Sequence, residues 1–307
     1  MTRVVVTGAN GFVGRAVSRV LEARGVAVVR VSRADCDLGD PAATEVLTRC
    51  AEGADAIVHA AAHVHRPEET PNELARFREV NVGGTERVVR AAAAAGIARV
   101  VYLSTIGVHG FRGGVPTEDA LLEPRSTYAA TKLLGESIVT AGSADARIVR
   151  LATVYGEGDR ANFARLAHAI ARGRFVVPGD GSARKSVIAI DDAAELIADV
   201  ATRDGRVKTM HLAAPTPITL AQACDAFASA FGERAPRHVP LPVLRLAARA
   251  GDVLRAVRLP APLDTSTLEK LVRDSVVDTG RLAAFAPAHR FRVFEEVVKS
   301  AYAEARR

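Results

Sequence analysis

Aromatic residues make up only 5% of the 307 positions, tryptophan is absent, and cysteine occurs three times. No aromatic-and-basic platform for stacking bases is present, and the basic residues are dispersed. Nucleic-acid binding is therefore set aside despite a net charge of +6. A solvated, arginine-rich surface accounts for most of that charge, and an anionic ligand would suit it. Cys36, Cys50 and Cys224 form an odd, scattered set without metal-ligand spacing. No apolar run approaches the ~18 residues that a membrane span requires. The first strand begins at residue 3, which leaves no room for a signal peptide. These absences predict a reduced, cytoplasmic protein. His59, His63 and His65 have no nearby cysteine or acid to complete a coordination set, so no metal is expected. His63 and His65 are expected at a pocket rim. No internal repeat or low-complexity linker interrupts the chain.

What is present is an ordinary globular composition, 49% hydrophobic and 25% charged, long enough for a large core and a smaller lobe. Val4-Val5-Val6 reads as a buried parallel strand. Further strands are expected at Val26–Val31, Ala56–His59, Arg99–Ser104 and Arg147–Leu151. Helices fill the intervals: Arg15–Ala23, Asp40-Pro41 to about Cys50, Asn81–Ala95 and Tyr128–Thr140. Such alternation predicts an α/β fold, a doubly wound parallel sheet with helices on both faces. Beyond Gly156 the regularity loosens into helices at Phe163–Arg172, Asp192–Ala201 and Leu220–Phe231, the last behind a Thr219…Gln222 capping box. Pro236 to Pro242 precedes a helical tail. The expected division is residues 1–156 and 157–307, the second a smaller, mostly helical C-terminal lobe partly interleaved with the first.

The chemistry begins in the turn after the first strand. Gly8, Asn10 and Gly11 lead into a helix at Phe12, Val13 and Gly14, whose free N–H groups and positive dipole end make a seat for a diphosphate. The Gly-x-x-Gly-x-x-Gly spacing differs slightly from the usual dinucleotide fingerprint, and its place directly after the first strand leads residues 1–156 to be expected as a Rossmann-type, NAD(P)-binding unit. At the end of the second strand stand Ser32 and Arg33, where NAD-binding chains usually carry an acid. Arginine pairs with the 2′-phosphate of NADP, so NADP (NADPH) is the expected cofactor. Asp35 would reverse the choice to NAD if the strand ended later. Ala60, Ala61 and Ala62 are small enough for the cofactor backbone to approach closely.

Tyr128 and Lys132 are four residues apart and so share one helix face. With four tyrosines and five lysines in 307 residues, chance supplies roughly 0.07 such pairs, so the spacing carries information. A neighbouring cation is expected to favour the phenolate and make Tyr128 an acid/base near neutral pH. Ser104 and Thr105 end the fourth strand, at the carboxyl edge where α/β proteins bind ligands.

The glycine loop, the strand-end hydroxyls and Tyr128-Ala-Ala-Thr-Lys132, in this order, resemble extended short-chain dehydrogenases/reductases of the NAD-dependent epimerase/dehydratase type. The likeness is to bacterial 4-keto-sugar reductases and 4-epimerases. It implies Thr105, Tyr128 and Lys132 as the catalytic set, with Tyr128 the general acid/base and Lys132 also on the nicotinamide ribose. It places Asp37-Leu38 on the adenine and Asn81 and Ser104 near the cofactor. Arg150 to Gly156 resembles the segment that passes nicotinamide and sugar, which puts Ala152 and Val154 on the cofactor and Thr153 on the substrate. His63, Ile106, Asn162, Arg184 and Lys185 join the substrate side, the last three toward a nucleotide diphosphate. Two positions depart from the pattern: Lys185 where many relatives carry arginine, and Thr153 where several epimerases carry asparagine. The resemblance implies a nucleotide-diphosphate sugar substrate, with 4-keto reduction expected and 4-epimerisation the alternative. A hydroxysteroid or flavonoid-type reductase and a non-catalytic nucleotide sensor are more distant readings. A homodimer is admitted.

Overall fold

Three consecutive valines can all be buried only if helices cover both faces of their sheet. The computed structural model, which describes residues 1–64, 70–205, 207–256 and 263–303, has this arrangement. Its first half runs β1 (Arg3–Thr7), α1 (Phe12–Ala23), β2 (Ala27–Val31), α2 (Ala43–Ala51), β3 (Ala56–His59) and α3 (Pro71–Phe77). A π-helical stretch at Arg78–Gly83 leads into α4 (Gly84–Ala94), then β4 (Arg99–Thr105), α5 (Thr127–Gly142) and β5 (Asp145–Leu151). The second half begins with β6 (Thr153–Tyr155), α6 (Asn162–Ala171), β7 (Val177–Pro178), β8 (Arg184–Lys185) and β9 (Val187–Ala189). Then follow α7 (Ile190–Thr202), β10 (Thr209–Leu212), β11 (Ile218–Thr219), α8 (Leu220–Phe231) and β12 (His238–Val239). The chain closes with α9 (Leu241–Ala256), α10 (Thr265–Val272), α11 (Gly280–Phe285) and α12 (Phe294–Ala301).

Six parallel strands form the main sheet in the order β10-β5-β4-β3-β1-β2. The register sets Thr7 beside both Val31 and His59, so three strands end together at one carboxyl edge. Because side chains alternate along a strand, the valines divide between two cores. Val4 and Val6 join α1 and α7 on one face, while Val5 joins α2 and α4 on the other. A third core, in the second half, gathers Phe163, Phe227, Phe231 and Phe294.

Three features differ from expectation. The sheet's sixth strand, β10, comes from beyond residue 156, and α7 returns with it to pack against α1. Four residues at 209–212 carry too little pattern to read alone, and their identity as a strand rests on pairing with β5. Secondly, α3 precedes the expected Asn81 helix. Thr70 caps it, its hydroxyl accepting from Glu73 N at 3.3 Å, with Pro71 in the first turn. Thirdly, the expected start at Asn81 falls inside the π-helical stretch, a local form frequent at functional sites. Among the described residues, no helix is long and apolar enough to cross a membrane.

Candidate active site

The glycine turn is shaped by what lies against it. Gly8 has φ +68°, and a Cβ there would stand 2.7 Å from Ala61 Cα; a Cβ on Gly14 would stand 2.3 Å from the Gly8 carbonyl oxygen. Neither position admits a side chain, so the loop, the start of α1 and the Ala60–Ala62 segment close on one another. In front of them opens a cavity of about 230 Å³. Of the expected cofactor residues, Gly8, Asn10, Gly11, Ser32, Arg33, Asp37, Leu38 and Ala60 to Ala62 line it, as does His63. Small backbone-exposing residues, a helix N-terminus and flanking cations fit a dinucleotide. Phe12 and Val13 pack toward the first core instead, and Gly14 serves the turn from behind.

At the end of β2 the acid and the hydroxyl are paired with each other. Asp35 accepts from Ser32 N at 2.9 Å and from the Ser32 hydroxyl at 2.6 Å, which holds its carboxyl below the usual carboxylate range. Asp37 accepts from Gly39 N at 3.0 Å and pairs with Arg33 Nε at 3.1 Å. Arg76, on α3, lines the same cavity and was not a sequence candidate.

A polar latch joins this cavity to the reacting residues. Asn81 Oδ1 accepts from His63 N at 2.6 Å, while its Nδ2 donates to His63 O and to Thr131 Oγ1 at 3.0 and 3.1 Å. Thr131 lies on α5 between Tyr128 and Lys132. Asn81 therefore ties the segment after β3 to the helix that carries the acid/base pair. The His63 ring pairs with Glu73 at 2.6 Å. His65 lies outside the described residues.

Ser126 caps α5, accepting from Ala129 N at 3.2 Å, and so puts Tyr128 in its first turn. Thr105 Oγ1 accepts from Gly107 N at 3.1 Å. A Cβ on Gly107 would lie 3.3 Å from that hydroxyl and 3.6 Å from Ala129 Cβ. Thr105 and the first turn of α5 thus face each other across a glycine. Lys132 is buried, its Nζ 3.9 Å from the centre of the Tyr102 ring. Burial pushes the Tyr128 phenol up to about 12 and the Lys132 ammonium down to about 7, although Glu136 one turn away favours the cation. The expected phenolate is therefore disfavoured. Loss of solvation raises the phenol, and Tyr128 is a neutral phenol at neutral pH.

Other expected residues have different occupations. The Ser104 hydroxyl donates to Glu136, whose carboxylate is held by Arg150 through Nη2 at 2.8 Å; all three are buried. Ile106 and Ala152 sit in a small apolar cluster with Val277. Val154 packs at the edge of the first core, and Thr153 is half-buried on β6. Asn162 Oδ1 accepts from Arg165 at 3.0 Å. Arg184 pairs with Asp274 at 2.9 Å. Lys185 Nζ donates to the carbonyls of Lys270 and Arg273, where α10 ends. A lysine among the free carbonyls of a helix end is well placed electrostatically, and this explains its engagement there.

Two features carried no recognised sequence signal. Tyr302, at the end of α12, accepts from Gly156 N at 3.0 Å and donates to Asp159 at 2.9 Å, fixing the loop after β6. A second cavity, of about 440 Å³, is lined by Phe111, Arg112, Gly113, Gly114, Arg125, Arg273 and Asp274. Among the described residues no group of three or more His, Cys, Asp or Glu could hold a metal ion.

A glycine turn and helix N-terminus at the carboxyl edge of a parallel sheet, with a Thr/Tyr/Lys set beyond it, define a Rossmann-fold protein of the short-chain dehydrogenase/reductase class. Within that class, the NAD dependent epimerase/dehydratase family profile matches residues 4–212, and the chain belongs to this family. It is 33% identical over 182 residues to a dTDP-4-dehydrorhamnose reductase of Mycolicibacterium smegmatis (59% of this chain, 52% of the relative). It is 28% identical over 210 residues to N-acetyl-alpha-D-glucosaminyl-diphospho-ditrans,octacis-undecaprenol 4-epimerase of Escherichia coli O157:H7 (63% and 61%). These alignments span about half to three-fifths of the relatives' lengths. The fold also matches that of the Thermus thermophilus UDP-glucose 4-epimerase complex with NAD. The TM-score is 0.76 over 99% of both chains, at 21% identity.

Proposed function

We propose that the protein reduces the 4-keto carbon of a nucleotide-linked hexose, with NADPH as the source of hydride. The observation that carries this reading is the placement of Thr105 against Gly107 and the first turn of α5, the turn that bears Tyr128, with Lys132 one turn further on. A nicotinamide cofactor in the first cavity would supply hydride to the carbonyl carbon. Tyr128 gives its proton to the carbonyl oxygen as negative charge develops there, and Thr105 holds that oxygen in line by donating a hydrogen bond. Lys132, poised near neutrality, favours the phenolate left behind and orients the cofactor ribose. The reductase and epimerase names among the relatives support chemistry at this carbon.

Ser32 and Arg33 support NADPH, since Asp35 is turned onto Ser32 and does not line the cavity. For the substrate diphosphate the reading moves from Arg184 and Lys185, engaged elsewhere, to Arg125 of the second cavity, beside Arg112, which pairs with Glu123 at 2.5 Å, and Arg273, which pairs with Glu269 at 3.1 Å. The chain beyond residue 156, other than α7 and β10, forms the substrate side together with Thr105 and the segment from Phe111 to Arg125. The test is a panel of nucleoside-diphosphate 4-keto-hexoses with NADPH, followed by loss of reduced-nicotinamide absorbance. Oxidation of NADPH with at least one of them is expected. Tightly bound NAD in the purified protein, with interconversion of 4-epimeric nucleotide hexoses and no net oxidation, would replace this reading by the epimerase.

A further inference from the structure

The outer end of the first cavity holds two guanidinium groups on two different elements. Arg33 follows β2, and Arg76 lies in the last turn of α3. Between them stands the Asp37 carboxylate, 3.1 Å from Arg33 Nε and 3.8 Å from Arg76 Nη2. Its other oxygen accepts from Gly39 N, so the acid is pinned to its own loop and cannot follow either arginine. The neighbouring Asp35 is turned onto Ser32. This rim thus carries two cations and one anion facing the cavity, and a second anion can be shared between the guanidiniums. Planar forks from two directions suit a tetrahedral dianion better than one does.

We infer that Arg76 is a second determinant of cofactor choice, gripping the 2′-phosphate of NADP opposite Arg33. This rests on the NADPH reading above. A structural role alone would be small, because a 3.8 Å pair between partly exposed groups contributes little to stability.

The experiment is calorimetric titration of the wild type, Arg33→Ala, Arg76→Ala and Arg76→Lys with NADPH, NADH, adenosine 2′,5′-bisphosphate and 5′-AMP. Arg76→Ala is expected to weaken NADPH and the bisphosphate by about tenfold or more, with NADH and 5′-AMP unchanged. Arg76→Lys should recover part of the loss, since it keeps the charge but not the fork. If Arg33→Ala removes the preference and Arg76→Ala does not, the assignment of Arg76 falls while the NADPH reading stands. Equal weakening of all four ligands by Arg76→Ala would mean a structural role and would also overturn it. A wild type that binds NADH as tightly as NADPH sinks both.

Discussion

The two halves of the molecule fill their interiors with different residues. Around the main sheet the cores are aliphatic: Val4, Val6, Val58 and Val149 on one face, and Val5, Ile57, Val100 and Ile148 on the other. In the lobe the core is centred on a cluster of rings, Tyr155, Phe163, Phe227, Phe231, Phe294 and Tyr302, with neighbouring centroids 4.8 to 6.3 Å apart and aliphatic residues such as Ile170, Val177 and Leu220 packed around them. Regular strands and alanine-rich helices lie flat on one another, so branched aliphatics fill the gap and the backbone approaches closely. That closeness brings the glycine turn and the Ala60–Ala62 backbone together at the carboxyl edge. The lobe is made of short pieces around two-residue strands, and large rings span what regular layers do not. One half therefore depends on many small contacts, the other on a few large ones.

The largest expected effect lies on the sheet side of the seam. Tyr128→Phe keeps the ring and loses the proton, so turnover should fall by about 10²–10⁴-fold with cofactor affinity unchanged. Near-normal turnover in that variant would remove Tyr128 from its role.

Next comes the lobe's dependence on single rings. Phe227 is fully buried amid Phe163, Phe231, Phe294 and Tyr302. Phe227→Ala should cost about 3–5 kcal/mol, against about 0.5–1.5 kcal/mol for Ile57→Val under the sheet. Urea denaturation giving equal losses would erase the contrast between the cores.

Acid tests the main sheet and its carboxyl edge. Burial pushes His59, under the sheet's edge, down to about 3 and His109 down to about 4, and it lowers His211 as well. Folded, these rings stay neutral, whereas the unfolded chain protonates them near pH 6.5. Stability is thus fully present above about pH 6.5. It should fall by up to about 1.4 kcal/mol per histidine per pH unit as pH drops toward 4. A urea midpoint that stays level between pH 6.5 and 4.5 would contradict this. His109 and His211 face each other, Nε2 to Nε2 at 2.8 Å, so replacing either by glutamine should reduce the slope.

The smallest effect concerns the substrate side. Arg125→Ala should weaken nucleotide-sugar binding by about 1.5–3 kcal/mol and leave NADPH binding alone. Calorimetry with the pattern reversed would return the clamp to the cations of β8.

Much of this is legible in the sequence. The main strands and helices of the first half fall within a few residues of expectation, because alternation and capping are local. The Thr219…Gln222 box was readable for the same reason, and it closes in both directions. The Tyr128–Lys132 spacing needs only a helix to put both groups on one face.

What the spacing could not contain was the choice among distant partners. Lys185 and Arg184 are cations in a loop by sequence, and only folding brings α10 and Asp274 to them. Arg76 is one arginine among many until α3 sets it opposite Arg33. Tyr302 is a tail residue until its hydroxyl meets Gly156. The protonation of Tyr128 reversed for a related reason. Chain order supplied the neighbouring cation, but burial depends on every element packed around α5, and burial raises the phenol. Local hydrogen bonding and periodicity determine which elements form; long-range contacts, which arise only when those elements pack, decide which polar groups remain available for a ligand.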